Sequence, residues 1–217
     1  MVKDRETLRT LVETEQYDEL RILVQEKKNR LSTLISLSYT ADNPFRFRII
    51  RATGCIVAAL GQQNLNFVRT LISNLLWSLN DDSGSVGWSS PELLGEIISS
   101  RIDLFREYIP LVISLLGIRE TYFRPGVLWA MGRIAAQEPS HIKPYAPSID
   151  MYLADPVSET RAYAVWCLGQ IQAPVPEEHL GHLLLDTAQV TLLDGAGRIA
   201  TKTIAAMTRE ATERSRQ

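Results

Sequence analysis

The sequence predicts an all-α fold, an α-solenoid of about five helix pairs behind an N-terminal helical cap. Three observations carry that expectation. Arg124, Arg161 and Arg198 stand 37 residues apart, and each opens a similar short segment. The first two read Arg124-Pro-Gly-Val-Leu-Trp-Ala-Met-Gly-Arg-Ile and Arg161-Ala-Tyr-Ala-Val-Trp-Cys-Leu-Gly-Gln-Ile, so Trp129 aligns with Trp166. Gly61, Gly95, Gly132 and Gly169 extend the register upstream in steps of 34, 37 and 37 residues, and Ala206 takes the glycine's place in the last copy. Alternating apolar and polar runs, which would announce strands, are nearly absent.

The elements follow in order. Residues 7–15 and 17–26 read as two helices capping the first repeat, within a cap of residues 1–28. Repeats occupy 29–213. Their first helices are expected in the apolar-periodic stretches 29–39, 65–79, 104–116, 141–153 and 176–193. Their second helices end in the repeat glycines, as in Thr53-Gly-Cys-Ile-Val-Ala-Ala-Leu-Gly61 and Pro91-Glu-Leu-Leu-Gly95. Turn chemistry separates them at Asp42-Asn-Pro44, Asn80-Asp-Asp-Ser-Gly84, Asp155-Pro156 and Asp194-Gly195. Residues 214–217 form a polar tail expected to fray. No linker interrupts the chain, which reads as one domain.

Asp155-Pro-Val-Ser-Glu-Thr-Arg161 through Leu168-Gly169-Gln-Ile171 resembles the HEAT repeat, in particular the short bacterial type of the phycobilisome lyases. That type has an aspartate turn, an arginine and an alanine-rich helix ending in Ala-Leu-Gly. Asp42-Asn-Pro-Phe-Arg46 leading to Ala59-Leu60-Gly61 is similar, and the resemblance covers roughly residues 30 to 210. The chain also resembles a group of bacterial HEAT-repeat proteins that carry a Trp-x-x-Asn-Asp-x-Ser-Gly segment, here Trp77 to Gly84.

Composition narrows the function. At 217 residues, 45% hydrophobic and 22% charged, the chain is ordinary for a soluble globular protein. A net charge of −2 and a pI near 6.0 give no general reason to bind nucleic acid or anionic lipid. The charged N-terminus has no apolar core of a signal peptide, and no apolar run reaches membrane-spanning length. Cys55 and Cys167 lie in different repeats and read as buried thiols, so a cytoplasmic location is expected.

A helical wheel on the second helices separates a core row from an outward row. Counting from the glycine, Val127, Ala130, Met131 and Ile134 form one core row, and Ala164, Cys167, Leu168 and Ile171 the next. The residues three before and one after each glycine point away from it: Ala58 and Gln62, Glu92 and Glu96, Trp129 and Arg133, Trp166 and Gln170. The HEAT resemblance implies that second helices line a concave groove. Trp88, Glu92, Glu96, Trp129, Arg133, Trp166 and Gln170 are therefore the candidate groove-binding residues, with Arg133 placed to neutralise a glutamate. An exposed tryptophan forgoes roughly 2–3 kcal/mol of burial, so such rings either pack on a neighbouring repeat or bind a partner.

The connection from Asn80 to Ser89 is longer than the roughly 2–8 residues usual between helices. Asn80, Asp81, Asp82, Ser83 and Gly84 are its candidate site residues, and Ser89 or Ser90 can cap the helix that follows. Arg124, Arg161 and Arg198 read as a structural ladder, paired with Glu120, Asp155 and Asp194 of the preceding turns.

Other signals are weak. Glu92 and Glu96 share a helix face, but no histidine joins them as a metal or acid–base partner. His179 and His182 lack a third ligand. The Asn80 segment lacks the ligand spacing of a calcium loop, and Gly195-Ala-Gly197-Arg is not a phosphate-binding loop. No nucleophile elbow occurs, and neither cysteine has an evident histidine partner. Three functions remain: a non-catalytic scaffold holding a protein, peptide or small ligand, a HEAT-like alkylpurine DNA glycosylase, and a bilin lyase-like tetrapyrrole chaperone. The first is favoured, because duplex binding needs a stripe of cations and the groove row holds two glutamates to one arginine. The expected partner is a protein or peptide, with no nucleic acid, membrane, metal or cofactor.

Overall fold

The computed structural model describes residues 2–79, 89–118 and 120–216, with side chains from residue 4 onward. It is a mostly helical repeat solenoid whose backbone contacts divide into two compact units, Met1–Arg106 and Glu107–Gln217.

The first unit contains α1 (Val2–Glu13), α2 (Tyr17–Glu26), α3 (Asn29–Ser36), α4 (Asn43–Leu60), α5 (Leu65–Ser78), α6 (Ser90–Ser100) and the short α7 (Ile102–Phe105). The Asp42 side chain accepts the Phe45 N–H at 3.1 Å and starts α4, with Pro44 in the first turn where its missing donor costs nothing. α6 starts without a side-chain cap: the Ser89 hydroxyl instead donates to the Ser38 carbonyl at 3.1 Å, and the Ser90 hydroxyl lies 2.9 Å from that of Ser78. Every residue of α6 from Ser90 to Ser99 is buried, so the helix has no solvent face.

The second unit contains α8 (Ile109–Ser114), α9 (Arg124–Ala135), α10 (Ala146–Asp150), α11 (Ser158–Gln170), α12 (Glu177–Leu183), β1 (Gln189–Leu193), β2 (Ile199–Thr203) and α13 (Ile204–Arg214). α9 and α11 pack side by side, and α13 packs on α11. The core rows read from the wheel are buried, from Val127 through Ile134 on α9 and from Ala164 through Ile171 at the end of α11.

Two expectations are corrected here. Stretches 104–116 and 141–153 are broken into 3-10 turns and short α segments, because Pro110, Pro144 and Pro147 each remove a donor and constrain the residue before them. Stretch 176–193 is helical only as far as Leu183. Beyond it the chain forms an antiparallel hairpin pairing Val190 with Lys202, Thr191 with Thr201 and Leu192 with Ala200. The turn is built by Asp194, whose carboxylate accepts the N–H groups of Ala196 and Arg198, and by Gly197 at φ 79°. Arg198 thus ends a turn rather than opening a helix. The last helix begins six residues later, where the Thr203 hydroxyl accepts the Ala206 N–H.

The arginine ladder is structural at two rungs, with partners shifted from those expected. Arg124 lies 3.6 Å from Asp155, one turn further along than Glu120, and stacks over the Tyr152 ring. Arg161 donates to both the Asp155 carbonyl at 2.7 Å and the Asp186 carboxylate at 2.6 and 3.0 Å. It ties the start of α11 to the connection that precedes the hairpin. Arg198 pairs with Asp194 as expected, but its side chain is 80% exposed, where such pairs contribute about 0–1 kcal/mol.

Burial opposes ionisation of Asp186, yet the Arg161 and Ala188 hydrogen bonds and the Arg161 charge overcome it and lower its pKa below the ordinary 3.8. A carboxylate with a depressed folded pKa stabilises the protein above its unfolded value and loses that contribution as pH falls through the folded one. Asp186→Asn is therefore expected to destabilise by roughly 1.5–3 kcal/mol at pH 7. In urea titrations the gap to wild type should close steadily as pH falls below 3.8. A gap independent of pH would show that the ion pair contributes nothing.

Candidate functional site

Within the first unit, Glu92 and Glu96 lie one turn apart on α6, as predicted, but neither is open to solvent. They are 3% and 0% exposed. Their charges are met by α4: Arg46 Nη1 lies 3.2 Å from Glu92 Oε1, and Arg51 Nη1 donates to Glu96 Oε1 at 3.2 Å. Gly54 makes room for this arrangement, since a Cβ there would fall 2.6 Å from Glu96 Cγ. Burial pushes the Glu92 carboxyl above its ordinary range, and the Arg46 charge pulls it part of the way back. Glu92 Oε2 and Arg46 Nε are buried without a hydrogen-bond partner. The glutamates therefore pair with α4, and the expectation that they set the polarity of an open groove is corrected. Arg46, Arg51 and Gly54 are the residues the wheel missed. Their signal was present as two cations five apart on the helix one repeat upstream.

Trp88 and the loop residues Asn80, Asp81, Asp82, Ser83 and Gly84 lie outside the described residues.

Within the second unit, Trp129, Arg133, Trp166 and Gln170 do come together. The two indoles stack at 6.2 Å between centroids with planes 15° apart. They are not exposed anchors, however: Trp129 is 0% and Trp166 7% exposed, and Arg133 is 4%. The hairpin covers them. Trp129 Nε1 donates to the Leu193 carbonyl at 3.0 Å, and Arg133 Nη1 donates to the Gly195 carbonyl at 2.6 Å. Tyr163, one turn before Trp166, donates its hydroxyl to the Thr191 carbonyl at 2.7 Å. Large amphipathic side chains thus bury their apolar bodies and give their polar ends to the main chain of one hairpin.

What remains accessible is a cleft of about 250 Å³ beside the hairpin. Trp166 and Gln170 of α11 form its floor, and Arg198, Lys202, Glu210 and Arg214 line its walls. Lys202 Nζ holds Glu210 at 2.6 Å, whereas Arg214 is exposed. The cleft is polar and rich in donors, suited to carboxylates or peptide carbonyls. Its lining holds no serine, threonine or cysteine, and the nearby Cys167 thiol is buried, which pushes its pKa up. Among the described residues no group of three His, Cys, Asp or Glu is placed to hold a metal ion. His179 and His182 meet edge to face at 5.5 Å, and His182 Nε2 lies 3.2 Å from the Leu153 carbonyl.

Residues 121–171 match the model of the HEAT-like repeat. No curated protein matches the chain. Among solved structures, an engineered protein superposes with a TM-score of 0.58 at 16% identity, covering 98% of this chain and 90% of that one. A designed armadillo repeat protein in complex with the peptide (KR)4 gives 0.58 at 18% identity, covering 97% and 91%. Armadillo repeat proteins designed for modular peptide recognition give 0.53 at 18% identity, covering 97% and 91%. At these identities the likeness establishes the fold, a HEAT- and armadillo-like repeat solenoid.

Gly132 is the position where α9 and α11 approach most tightly. A Cβ there would lie 2.5 Å from Cε3 and Cζ3 of the Trp166 ring and 3.3 Å from the Cys167 backbone. A buried indole held by stacking cannot swing aside, so even alanine overpacks. Gly132→Ala should cost about 1–3 kcal/mol. Gly181, on α12, has nothing within 4 Å of its would-be Cβ, so Gly181→Ala should be neutral or stabilise by up to about 1 kcal/mol. Equal urea midpoints for the two variants would remove the close-approach explanation.

Proposed function

We propose that the chain is a non-catalytic interaction module that binds a protein or peptide, with the hairpin and its adjoining cleft as the contact surface. The observation that carries this reading is the way the α9 and α11 side chains hold β1. Trp129 and Tyr163 donate to the Leu193 and Thr191 carbonyls of the strand, a mode of recognition that reads extended backbone rather than side-chain identity, and Arg133 donates to the Gly195 carbonyl of the turn. The face expected to grip a partner grips the chain's own hairpin instead. It therefore presents the hairpin, Gln170 and Arg214 outward. The repeat solenoid gives such a surface a rigid support, and the similar designed armadillo repeat proteins are bound to the peptide (KR)4 or designed for modular peptide recognition.

The choice of ligand differs from that of the designed protein bound to (KR)4. A basic peptide needs open carboxylates, and here Glu92 and Glu96 are already neutralised by Arg46 and Arg51. The cleft beside the hairpin is lined instead by Arg198, Lys202 and Arg214 with Asp194 and Glu210, which leaves one cation in excess. The glycosylase and bilin-lyase readings are weakened by the same geometry, because Trp129 and Trp166, which would stack on a base or a tetrapyrrole, are buried.

Selection of a displayed random-peptide library against the full chain tests the proposal. Enriched peptides are expected, and Gln170→Ala combined with Arg214→Ala should weaken them about tenfold, or 1.4 kcal/mol. The melting temperature should hold, because Arg214 is exposed and Gln170 only half-buried. No enrichment, or binders indifferent to this double substitution, would overturn the assignment.

A further inference from the structure

The two edges of the hairpin differ. In an antiparallel pair, alternate residues bond across the ladder while those between them turn their N–H and C=O outward. Here Asp194 N–H donates to Arg198 O, and Ile204 N–H donates to Ala188 O. With the observed register, the ladder pairs are therefore 188 with 204, 190 with 202, 192 with 200 and 194 with 198. Residues 191 and 193 turn outward on β1, and their carbonyls are taken by Tyr163 and Trp129. Residues 199, 201 and 203 turn outward on β2. Among the described residues no group hydrogen-bonds the N–H of Ile199, Thr201 or Thr203, or the carbonyl of Ile199 or Thr201.

This edge carries one guard, Lys202, whose charge is taken by Glu210. Exposed edges are ordinarily blunted by charged side chains, proline, a bulge or marked shortness. β2 has no proline, pairs with β1 without a bulge over five residues, which is an ordinary strand length, and leaves Thr201 exposed. Its surroundings are basic. Arg198 and Lys202 stand on one face of the strand, with Ile199 and Thr201 on the other. Between residues 194 and 216 five cations, at 198, 202, 209, 214 and 216, face three acids, Asp194, Glu210 and Glu213. Lys202 is paired with Glu210 and Arg198 with Asp194, the latter in a pair whose arginine is 80% exposed, and Arg209, Arg214 and Arg216 are exposed.

We infer that the outer edge of β2 is a strand-addition site for an extended acidic segment of a partner protein. The added strand would pair with Ile199, Thr201 and Thr203, place its acids beside Arg198 and Lys202, and lay alternate apolar residues beside Ile199. This rests on the reading of the chain as an interaction module and specifies how that module takes its ligand.

The test uses the full chain, labelled with 15N, and a ten-residue peptide of alternating glutamate and valine, with a lysine–valine peptide as comparison. The acidic peptide should shift the amide signals of Ile199, Thr201 and Thr203 and slow their hydrogen exchange, while the basic peptide leaves them unchanged. Thr201→Pro, which removes one outward N–H, should weaken binding about tenfold. Thr201→Ala should change it less than about twofold, since the side chain is not what pairs. The Trp129 indole signal, tied to the Leu193 carbonyl, reports whether the hairpin survives the proline. If it does not, Arg198→Glu serves instead: it leaves the edge backbone intact and should abolish the preference for the acidic peptide. Binding with shifts confined to Gln170 and Arg214 would overturn the edge and leave the module standing. No binding of the acidic peptide would also overturn the edge, and the library selection decides the module separately. A chain that is dimeric alone and turns monomeric on Thr201→Pro would give the edge to a second copy and overturn the assignment to a partner.

Discussion

Polar groups taken out of water must find partners inside the protein, and α6, α9 and α11 carry several on helices that are buried along most of their length. An unpaired buried hydrogen-bonding group costs about 1–3 kcal/mol and an unpaired charge more. The structure answers differently in its two units. On α6 the demand is ionic, and α4 meets it with Arg46 and Arg51. On α9 and α11 the demand is for acceptors, and the chain meets it with the carbonyls of β1 and of the turn that follows it. The hairpin is thus not an ornament on the last repeat. It is where the polar ends of Trp129, Arg133 and Tyr163 become satisfied while their rings and stems stay buried.

The glycines follow from the same enclosure. Gly54 is small because the Glu96 side chain lies across it, and Gly132 is small because the Trp166 ring does. Each repeat that puts a long polar or aromatic side chain between second helices needs a neighbour without a side chain. Gly169 obeys a plainer rule, with the α13 backbone at Ala211 3.1 Å from its would-be Cβ. Close helix approach in this chain has two causes, backbone on backbone and side chain on backbone, and the sequence motif alone does not separate them.

That explains which parts were legible in advance. The solenoid, the buried core rows and the α9–α11 match were carried by the 37-residue register, a regular signal repeated in several copies. The groove face was not. A wheel assigns an outward direction on the assumption that only one side of a helix is covered, and Trp129, Trp166 and Glu96 occupy stretches, 126–135, 162–169 and 90–99, that are buried on every side. Nor was the hairpin, because the arithmetic of Arg198 outweighed a local alternation. Val190-Thr-Leu-Leu and Ile199-Ala-Thr-Lys-Thr are β-branched runs around Asp194-Gly-Ala-Gly197, which is the sequence mark of two strands and a turn. Periodicity over the whole chain and propensity over ten residues disagreed, and here the local signal prevailed.

The Arg46–Glu92 pair shows the limit of burying charge. Arg51 and Glu96 meet in a hydrogen bond with Arg51 partly in water, whereas Arg46 Nε and Glu92 Oε2 remain without partners although both are buried. Arg46 gains some compensation by lying over the Phe47 ring at 5.3 Å. Two ion pairs on the same two helices therefore differ in quality, and an imperfectly satisfied buried pair adds little net stability compared with an apolar replacement. Breaking it is another matter, since removal of Arg46 alone would strand a carboxylate that burial already disfavours. The pair is better understood as a constraint on which helix α6 packs against than as a source of stability. An α6 turned by one residue would carry Glu92 away from the only described cation within 4 Å of it, Arg46. Register between second helices is then set by charge in the first unit and by aromatic stacking on a glycine in the second.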